Sequence, residues 1–315
     1  MPNKATSVSI PRYDITGSLL ETKPMQNWAA EALFTPTPVG KNSGTYGVIP
    51  LASLTQRGDV KRAAGSTYSR GESQFENGTF SVVEYGREES IDDGEATEFA
   101  DYYTAETSCA ARAREIVLRE LEIEAAALIA TATFPDAAAT AAWTTVASSD
   151  PIADVNAARV AVFEACGLQV DTIQMPFTKW NYCWQSAKVR DNIKYVMAVD
   201  NPSPTDASAR QALARVLGLS NVIVTDAVYN TANEGQTESL SQIWPATQAF
   251  VYVSAQGTDI QRPCALRTFY NAADCGLGMV EQYRDESRRS DVYRFRTKRH
   301  QKVILPNAGY IITGI

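Results

Sequence analysis

Histidine is almost missing from this chain: its 315 residues contain one, His300. A mechanism that needs two imidazoles, as most zinc hydrolases do, is excluded. Cysteine is sparse as well. The five are Cys109, Cys166, Cys183, Cys264 and Cys275. None form a C-x-x-C pair, so their spacing suggests neither a zinc site nor a disulfide framework. Folding in a reducing cytoplasm is the simplest reading. Met1 to Pro11 has no apolar core, and no signal peptide is expected. The longest uncharged stretch, Ser239 to Thr258, holds Pro245 and several Gln and Ser. It is not a membrane span. Phosphate-cradling, dinucleotide, zincin and nucleophile-elbow motifs are all lacking. Asp92-Asp93-Gly94 is a mere fragment of a calcium loop and reads as a solvated turn. Cys166 or Cys264 with His300 would form a thiol dyad only by chance. No catalytic residue, cofactor or metal is therefore assigned.

What is present fits a soluble globular protein. Hydrophobic residues make up 44% and charged residues 21%, enough for a sizeable core in one large domain or two ordinary ones. The net charge of -7 argues against a surface that binds nucleic acid or anionic membrane everywhere.

Residues 1–43 read as an extended, proline-punctuated arm, with one short helix allowed over Met25 to Phe34. Such an arm is expected to rest on another subunit. Two β segments follow, Thr45 to Gln56 and Gly78 to Glu88. Between them lie Gly58, Gly65 and Gly71 with Lys61, Arg62 and Arg70. This is a long hairpin with too few large apolar residues to bury a core alone. From Glu95 to Phe134 there is neither Gly nor Pro. Phe99, Tyr103, Ala110, Val117, Leu121 and Leu128 form one helical stripe. The pattern predicts a helix of some thirty-odd residues, about 50 Å long, ended by Pro135. Ala137 to Ser149, around Trp143, reads as hairpin or loop. Asp150 caps a second helix, with Pro151 at its first position and Gly167 as its stop. Short strands and helices then mix: Asp171 to Met175, Thr178 to Ser186, Ala207 to Leu217, Asn221 to Thr225 and Ala249 to Ser254. That mixture implies an α/β or α+β module. From Leu266 the chain turns β-rich, with strands over Gly278 to Arg284, Asp291 to Arg299, Lys302 to Leu305 and Tyr310 to Thr313.

Charge is more informative than any motif. Glu72 to Glu124 holds fifteen acidic residues against four arginines, a net of -11. Arg284 to Lys302 holds eight basic residues against three acidic ones, a net of +5. A nucleic-acid contact and a solvated face are both readings of the basic stretch. Pairing of the basic strands with the acidic hairpin or helix, within or between subunits, fits the arithmetic better.

The order of these parts resembles the major capsid proteins of tailed bacteriophages. Trp143 followed by Ser149-Asp-Pro-Ile-Ala-Asp154 resembles a stretch common in one group of them. So do Val189-Arg-Asp-Asn-Ile-Lys-Tyr195, Ala227-Val-Tyr-Asn-Thr-Ala232, Glu281-Gln-Tyr-Arg-Asp-Glu-Ser-Arg-Arg-Ser-Asp291 and the closing Pro306-Asn-Ala-Gly-Tyr310. The resemblance implies an α+β Hong Kong-97 fold. Residues 1–43 would be the N-terminal arm and 44–92 the extended hairpin loop lying over a neighbour. Residues 93–149 would be a peripheral domain with the spine helix, 150–265 an α/β axial domain, and 266–315 the return strands of the peripheral domain. The loop Asp200 to Asp206 would face the symmetry axis.

The resemblance further implies hexamers and pentamers of this chain, closing an icosahedral shell around double-stranded DNA without sequence-specific binding. Its place would be the virion, assembled in the bacterial cytoplasm, with no membrane. Candidate assembly residues are Lys61, Arg62, Arg70, Glu84, Glu88, Asp200, Asp206, Arg294 and Arg296. Some members begin with a long helical scaffolding segment. Only about forty residues precede the hairpin here, so a separate scaffolding protein is expected, with a portal and decoration proteins as further partners. Lys61 would be the donor if the lattice crosslinked, but an uncrosslinked lattice is expected. Two alternatives remain open: an encapsulin-type shell around protein cargo, and an α+β enzyme with an unrecognised site.

Overall fold

A computed structural model describes residues 8–21, 26–48, 50, 53, 55–58, 60–71, 76–98, 104–197, 207–233, 235–260 and 262–315. The chain opens with β1 (Ile10–Pro11), α1 (Tyr13–Glu21), α2 (Ala30–Leu33) and β2 (Thr35–Val39). The hairpin is β3 (Ser43–Val48) and β4 (Glu76–Ser81), followed by β5 (Val83–Asp92), α3 (Asp93–Glu98) and α4 (Ala105–Thr131). The middle of the chain forms β6 (Asp136–Ala138), α5 (Pro151–Cys166), β7 (Thr172–Pro176), α6 (Phe177–Gln185), α7 (Ala187–Met197) and α8 (Ala207–Leu217). Then come β8 (Asn221–Thr225), β9 (Val228–Asn230), β10 (Leu240–Gln242) and β11 (Gln248–Tyr252). Four strands close the chain: β12 (Leu266–Asn271), β13 (Met279–Asp285), β14 (Ser290–Val303) and β15 (Gly309–Thr313).

One sheet is built on β14, whose 14 residues form one strand where two were expected. Its register runs on without a break from Ser290 to Val303. One edge takes β13 and then β12 end to end, and the other takes β5. Side chains alternate along it. Tyr293, Phe295, Thr297 and Arg299 are buried, whereas Arg294, Arg296 and Lys298 lie on the opposite face. Tyr293 and Phe295 pack with Ile15, Leu19, Ile91 and Val280 against Ala110, Ala113, Val117, Leu118 and Leu121 of α4.

Helix α4 is shorter than its sequence suggested. It has 27 residues, about 40 Å. It begins after Thr104, which is extended at φ −78° and ψ 100°, ten residues beyond the expected start at Glu95. Phe99 and Tyr103 of the apolar stripe lie outside the described residues. Helix α5 starts and stops as expected. The Asp150 side chain accepts the Ala153 N–H at 3.1 Å, and Gly167 turns left-handed at φ 69°.

The second sheet has the order β6-β15-β11-β7-β8. It disregards the boundaries expected after residues 149 and 265, because β6 and β15 join the strands of the 150–265 segment. All five residues of β7 are buried. Helices α5, α6 and α8 pack on this sheet, and α7 packs on its helical neighbours. The larger core lies there.

The arm differs most from expectation. Ala29, Ala30, Leu33 and Phe34 belong to the larger core, and Ile15 and Leu19 to the smaller one. These described positions therefore pack on their own chain, beside α4. Strand β2 pairs in parallel with β12, despite Pro36 and Pro38. Ala272 N–H donates to Val39 O at 3.1 Å, so residues 35, 37 and 39 turn their backbone groups to β12. The two prolines face the outer edge, where no ladder N–H is needed. Among the described residues no helix is long and apolar enough to cross a membrane.

Candidate assembly interface

The exposed face of β14 is a ladder of charge. Arg294 stands directly opposite Glu88 of β5 on one side and Glu281 of β13 on the other. Its guanidinium lies 2.5 Å from Glu88 and 3.3 Å from Glu281. Arg296 reaches Glu281 at 2.7 Å, Asp274 at 3.0 Å and Glu84 at 3.8 Å. Lys298 meets Glu84 at 3.3 Å and also Asp274. Hydrogen bonds from Arg296 and then Lys298 hold the Asp274 carboxyl below its ordinary range. Burial alone would raise Glu281, but the hydrogen bonds from Arg296 and Ser9 bring it below its ordinary range. The acidic and basic stretches therefore pair within the chain. Opposite charges at paired positions stabilise a sheet modestly and fix its register.

Of the candidate residues, Glu84, Glu88, Arg294 and Arg296 come together in this ladder. Arg62 and Arg70 are exposed in the hairpin tip, together with Lys61. Arg62 donates to Ser66 O at 2.6 Å and lies 4.8 Å from the centre of the Tyr68 ring. Asp200 and Asp206 lie outside the described residues. Sequence reasoning missed Asp274 and Glu281 as partners. The signal was the alternation Arg294, Arg296, Lys298, which marks one charged strand face.

At its base the hairpin is fixed by glycines. Gly78 is paired with Tyr46 and Gly44 with Phe80. Each ring folds over the glycine across from it. A Cβ on Gly78 would sit 2.3 Å from the Tyr46 ring, and one on Gly44 3.1 Å from Phe80. Both rings then rest on Phe269, at centroid distances of 5.1 and 5.3 Å. The strand expected to reach Gln56 ends at Val48. Lys302 Nζ donates to Thr79 O at 2.5 Å and lies 5.7 Å from the centre of the Tyr46 ring.

Three buried ions bind the arm. Glu122 of α4 is 0% exposed. It accepts the N–H groups of Ala29 at 3.0 Å, Ala30 at 2.7 Å and the Trp244 indole at 2.5 Å. Burial raises its pKa above the ordinary carboxylate value. Arg267, also 0% exposed, donates to Thr37 Oγ1 at 3.1 Å and to the carbonyls of Gly257, Asp259 and Arg262. Arg299 pairs with Glu31 at 2.6 Å.

The residues singled out for other chemistry have structural partners. Asp93 forms two hydrogen bonds with Arg284, at 2.6 and 2.7 Å, and Asp92 accepts the Gly94 N–H. Cys166 bonds to Val162 O and Cys264 to Leu266 O, while His300 bonds to Ser81. Among the described residues no group of His, Cys, Asp and Glu is arranged to hold a metal ion.

No family model matches the sequence, and no curated protein matches it either. Solved structures do match. A phage-related protein from Bordetella bronchiseptica RB50 aligns with a TM-score of 0.70 at 17% identity, over 98% of each chain. The capsid of cyanophage P-SCSP1u aligns at 0.55 and 12% identity, over 93% of this chain and 89% of that one. The holo-SrpI encapsulin complex from Synechococcus elongatus PCC 7942 aligns at 0.53 and 10% identity, over 97% and 96%. The fold is that of tailed-phage major capsid proteins, the α+β Hong Kong-97 architecture.

Proposed function

We propose that the chain is the major head subunit of a tailed bacteriophage. Copies of it form hexamers and pentamers of an icosahedral shell that encloses double-stranded DNA. The carrying observation is the fold, matched over nearly the whole chain by phage capsid structures at TM-scores of 0.52 to 0.55 and by the phage-related protein at 0.70. The work is done by interfaces and not by a catalytic site. The net charge of -7 suits a container whose lining must not grip its polyanion.

In this reading each part has the role that the resemblance implies. Residues 1–43 are the arm, 44–92 the extended loop, 93–149 and 266–315 the peripheral domain, and 150–265 the axial domain, with β6 and β15 stitching the last two together. Lys61, Arg62 and Arg70 at the loop tip carry positive charge to an acidic surface on a neighbouring copy. Glu84, Glu88, Arg294 and Arg296 brace the strand from which the loop springs, and Asp200 and Asp206 are assembly residues of the axial domain. Scaffolding, portal and decoration proteins are the further partners. Assembly occurs in the bacterial cytoplasm and the product is the virion.

An encapsulin-type shell is the second reading, favoured by the match to the encapsulin complex at a TM-score like those of the phage capsids. Negative-stain electron microscopy of the purified protein, alone and with its genomic neighbours, tests both. Closed shells holding DNA support the first reading, and shells holding protein cargo without DNA support the second. A monodisperse monomer of 34.4 kDa at every concentration and salt refutes both.

A further inference from the structure

The one imidazole of the chain stands where the hairpin meets the sheet. His300 Nδ1 accepts the backbone N–H of Ser81 at 3.1 Å. A ring nitrogen accepts only when it carries no proton, so the imidazole is neutral with its hydrogen on Nε2. Ser81 is the last residue of β4. The next amide, Val82 N–H, donates to Asn42 O at 2.6 Å. His300 itself is paired across the ladder with Phe269, the ring that carries Tyr46 and Phe80. The hairpin base is thus held by two rings on Phe269, by Lys302 on Thr79 and by His300 on Ser81. Of these, only the last answers to a proton in the mildly acidic range.

The ionisable groups around the ring come from four strands. On β14 they are Lys298 and Lys302. On β12 it is Arg267, turned to its carbonyl partners. On β3 it is Tyr46, whose phenol is raised by burial. On β5 it is Glu84, engaged by Lys298 and Arg296. The β4 residues at the ring, Phe80 and Ser81, carry no charge. A proton on His300 would join a surplus of cations. Burial, and after it Lys302, accordingly lowers the imidazole below its ordinary value.

We propose that His300 is a proton-operated catch on the extended hairpin. Neutral, it holds the hairpin base to the sheet through Ser81. When Nδ1 takes up one proton from solvent it becomes a donor facing a donor, and the catch opens. No covalent bond changes. The sign follows from linkage. The closed state binds the proton more weakly than the open state, so acid favours opening. The catch is closed above the ordinary imidazole pKa of about 6.5 and weakens as the pH falls below it.

A single histidine makes the test direct. The full chain, as soluble protomer, is labelled with carbon-13 histidine, and its one imidazole signal is followed from pH 8 to pH 4.5. Amide exchange at Ser81, corrected for the intrinsic pH dependence, is read in the same samples. Protection at Ser81 is expected to fall about tenfold as the ring titrates, the loss of roughly one hydrogen bond. In His300→Asn the side-chain oxygen accepts at every pH, and protection should stay flat. An imidazole that never titrates overturns the proposal, as does Ser81 protection that holds while it does. So does a His300→Asn chain with the same step as wild type. Should that variant fail to fold, the wild-type titration decides alone.

Discussion

Replacing Glu122 gives the sharpest test of how the arm is held. The carboxylate is fully buried and accepts three N–H donors, from Ala29, Ala30 and Trp244. Glu122→Ala leaves all three without an acceptor. A buried donor left unsatisfied costs about 1–3 kcal/mol, so the three together cost about 3–9 kcal/mol before any relaxation. Typical domains have only about 5–15 kcal/mol in total. Glu122→Gln keeps one oxygen and turns an NH2 group toward a donor. It orphans at least one N–H and should lose about 1–3 kcal/mol. Burial raises the Glu122 pKa in the folded state. Its contribution is therefore full below the unfolded value of about 4.3 and declines as pH rises through the folded value. Glutamine does not titrate, so its deficit should narrow from pH 4.5 to pH 7. Urea unfolding followed by tryptophan fluorescence gives the order wild type, Gln, Ala. Amide exchange over residues 26–34 locates the loss. A Glu122→Ala chain within about 1 kcal/mol of wild type, with Ala29 and Ala30 equally protected, would refute the reasoning.

Reversal of both Arg294 and Arg296 to Glu sets like charges against Glu84, Glu88, Asp274 and Glu281. The two pairs that reach β5, Arg294 with Glu88 and Arg296 with Glu84, are part-exposed and contribute about 0–1 kcal/mol each. Reversal also replaces attraction by repulsion, so β5 should loosen by up to about 4 kcal/mol, and particle assembly with it. Unchanged particles by electron microscopy and an unchanged melting temperature would sink the idea. Asp274 and Glu281 have lowered pKa values, so the ladder is at full strength above the ordinary carboxylate range and fades as pH falls below about 4. Gly78→Val forces the Tyr46 ring off the glycine and should cost about 1–3 kcal/mol, seen as faster proteolysis within residues 44–81. Trp143→Phe removes the bond from the indole to Asp154 at 2.9 Å and should lower stability by about 1–3 kcal/mol, measured by urea unfolding.

Local signals in the sequence were reliable where one residue decides the backbone. Asp150, Pro151 and Gly167 bounded α5, and the segments expected over Asn221 to Thr225 and Ala207 to Leu217 have the limits of β8 and α8. Signals failed where tertiary pairing decides. Absence of Gly and Pro could not show that Thr104 is extended. Pro36 and Pro38 read as breakers because a sequence does not say which edge of a strand is free. The arm read as external although Ala29, Ala30, Leu33 and Phe34 already had a helical spacing. Opposite charge in two stretches was legible as a sum. That Arg294 faces Glu88, 206 positions away, was not, because register is set by the fold. The His300 contact with Ser81 left no sequence signature at all.

The prolines of β2 bear on how such a chain avoids the wrong polymer. An unpaired strand edge is a template on which identical chains can grow into fibres. Incoming strands need both donors and acceptors along that edge. At the outer positions of β2, residues 36 and 38, the backbone has carbonyls and no N–H. Fibrous growth from this side lacks half of its hydrogen bonds at every step. At the concentrations that self-association demands, the edge is inert to copies of the same chain, and contact between copies is left to side chains.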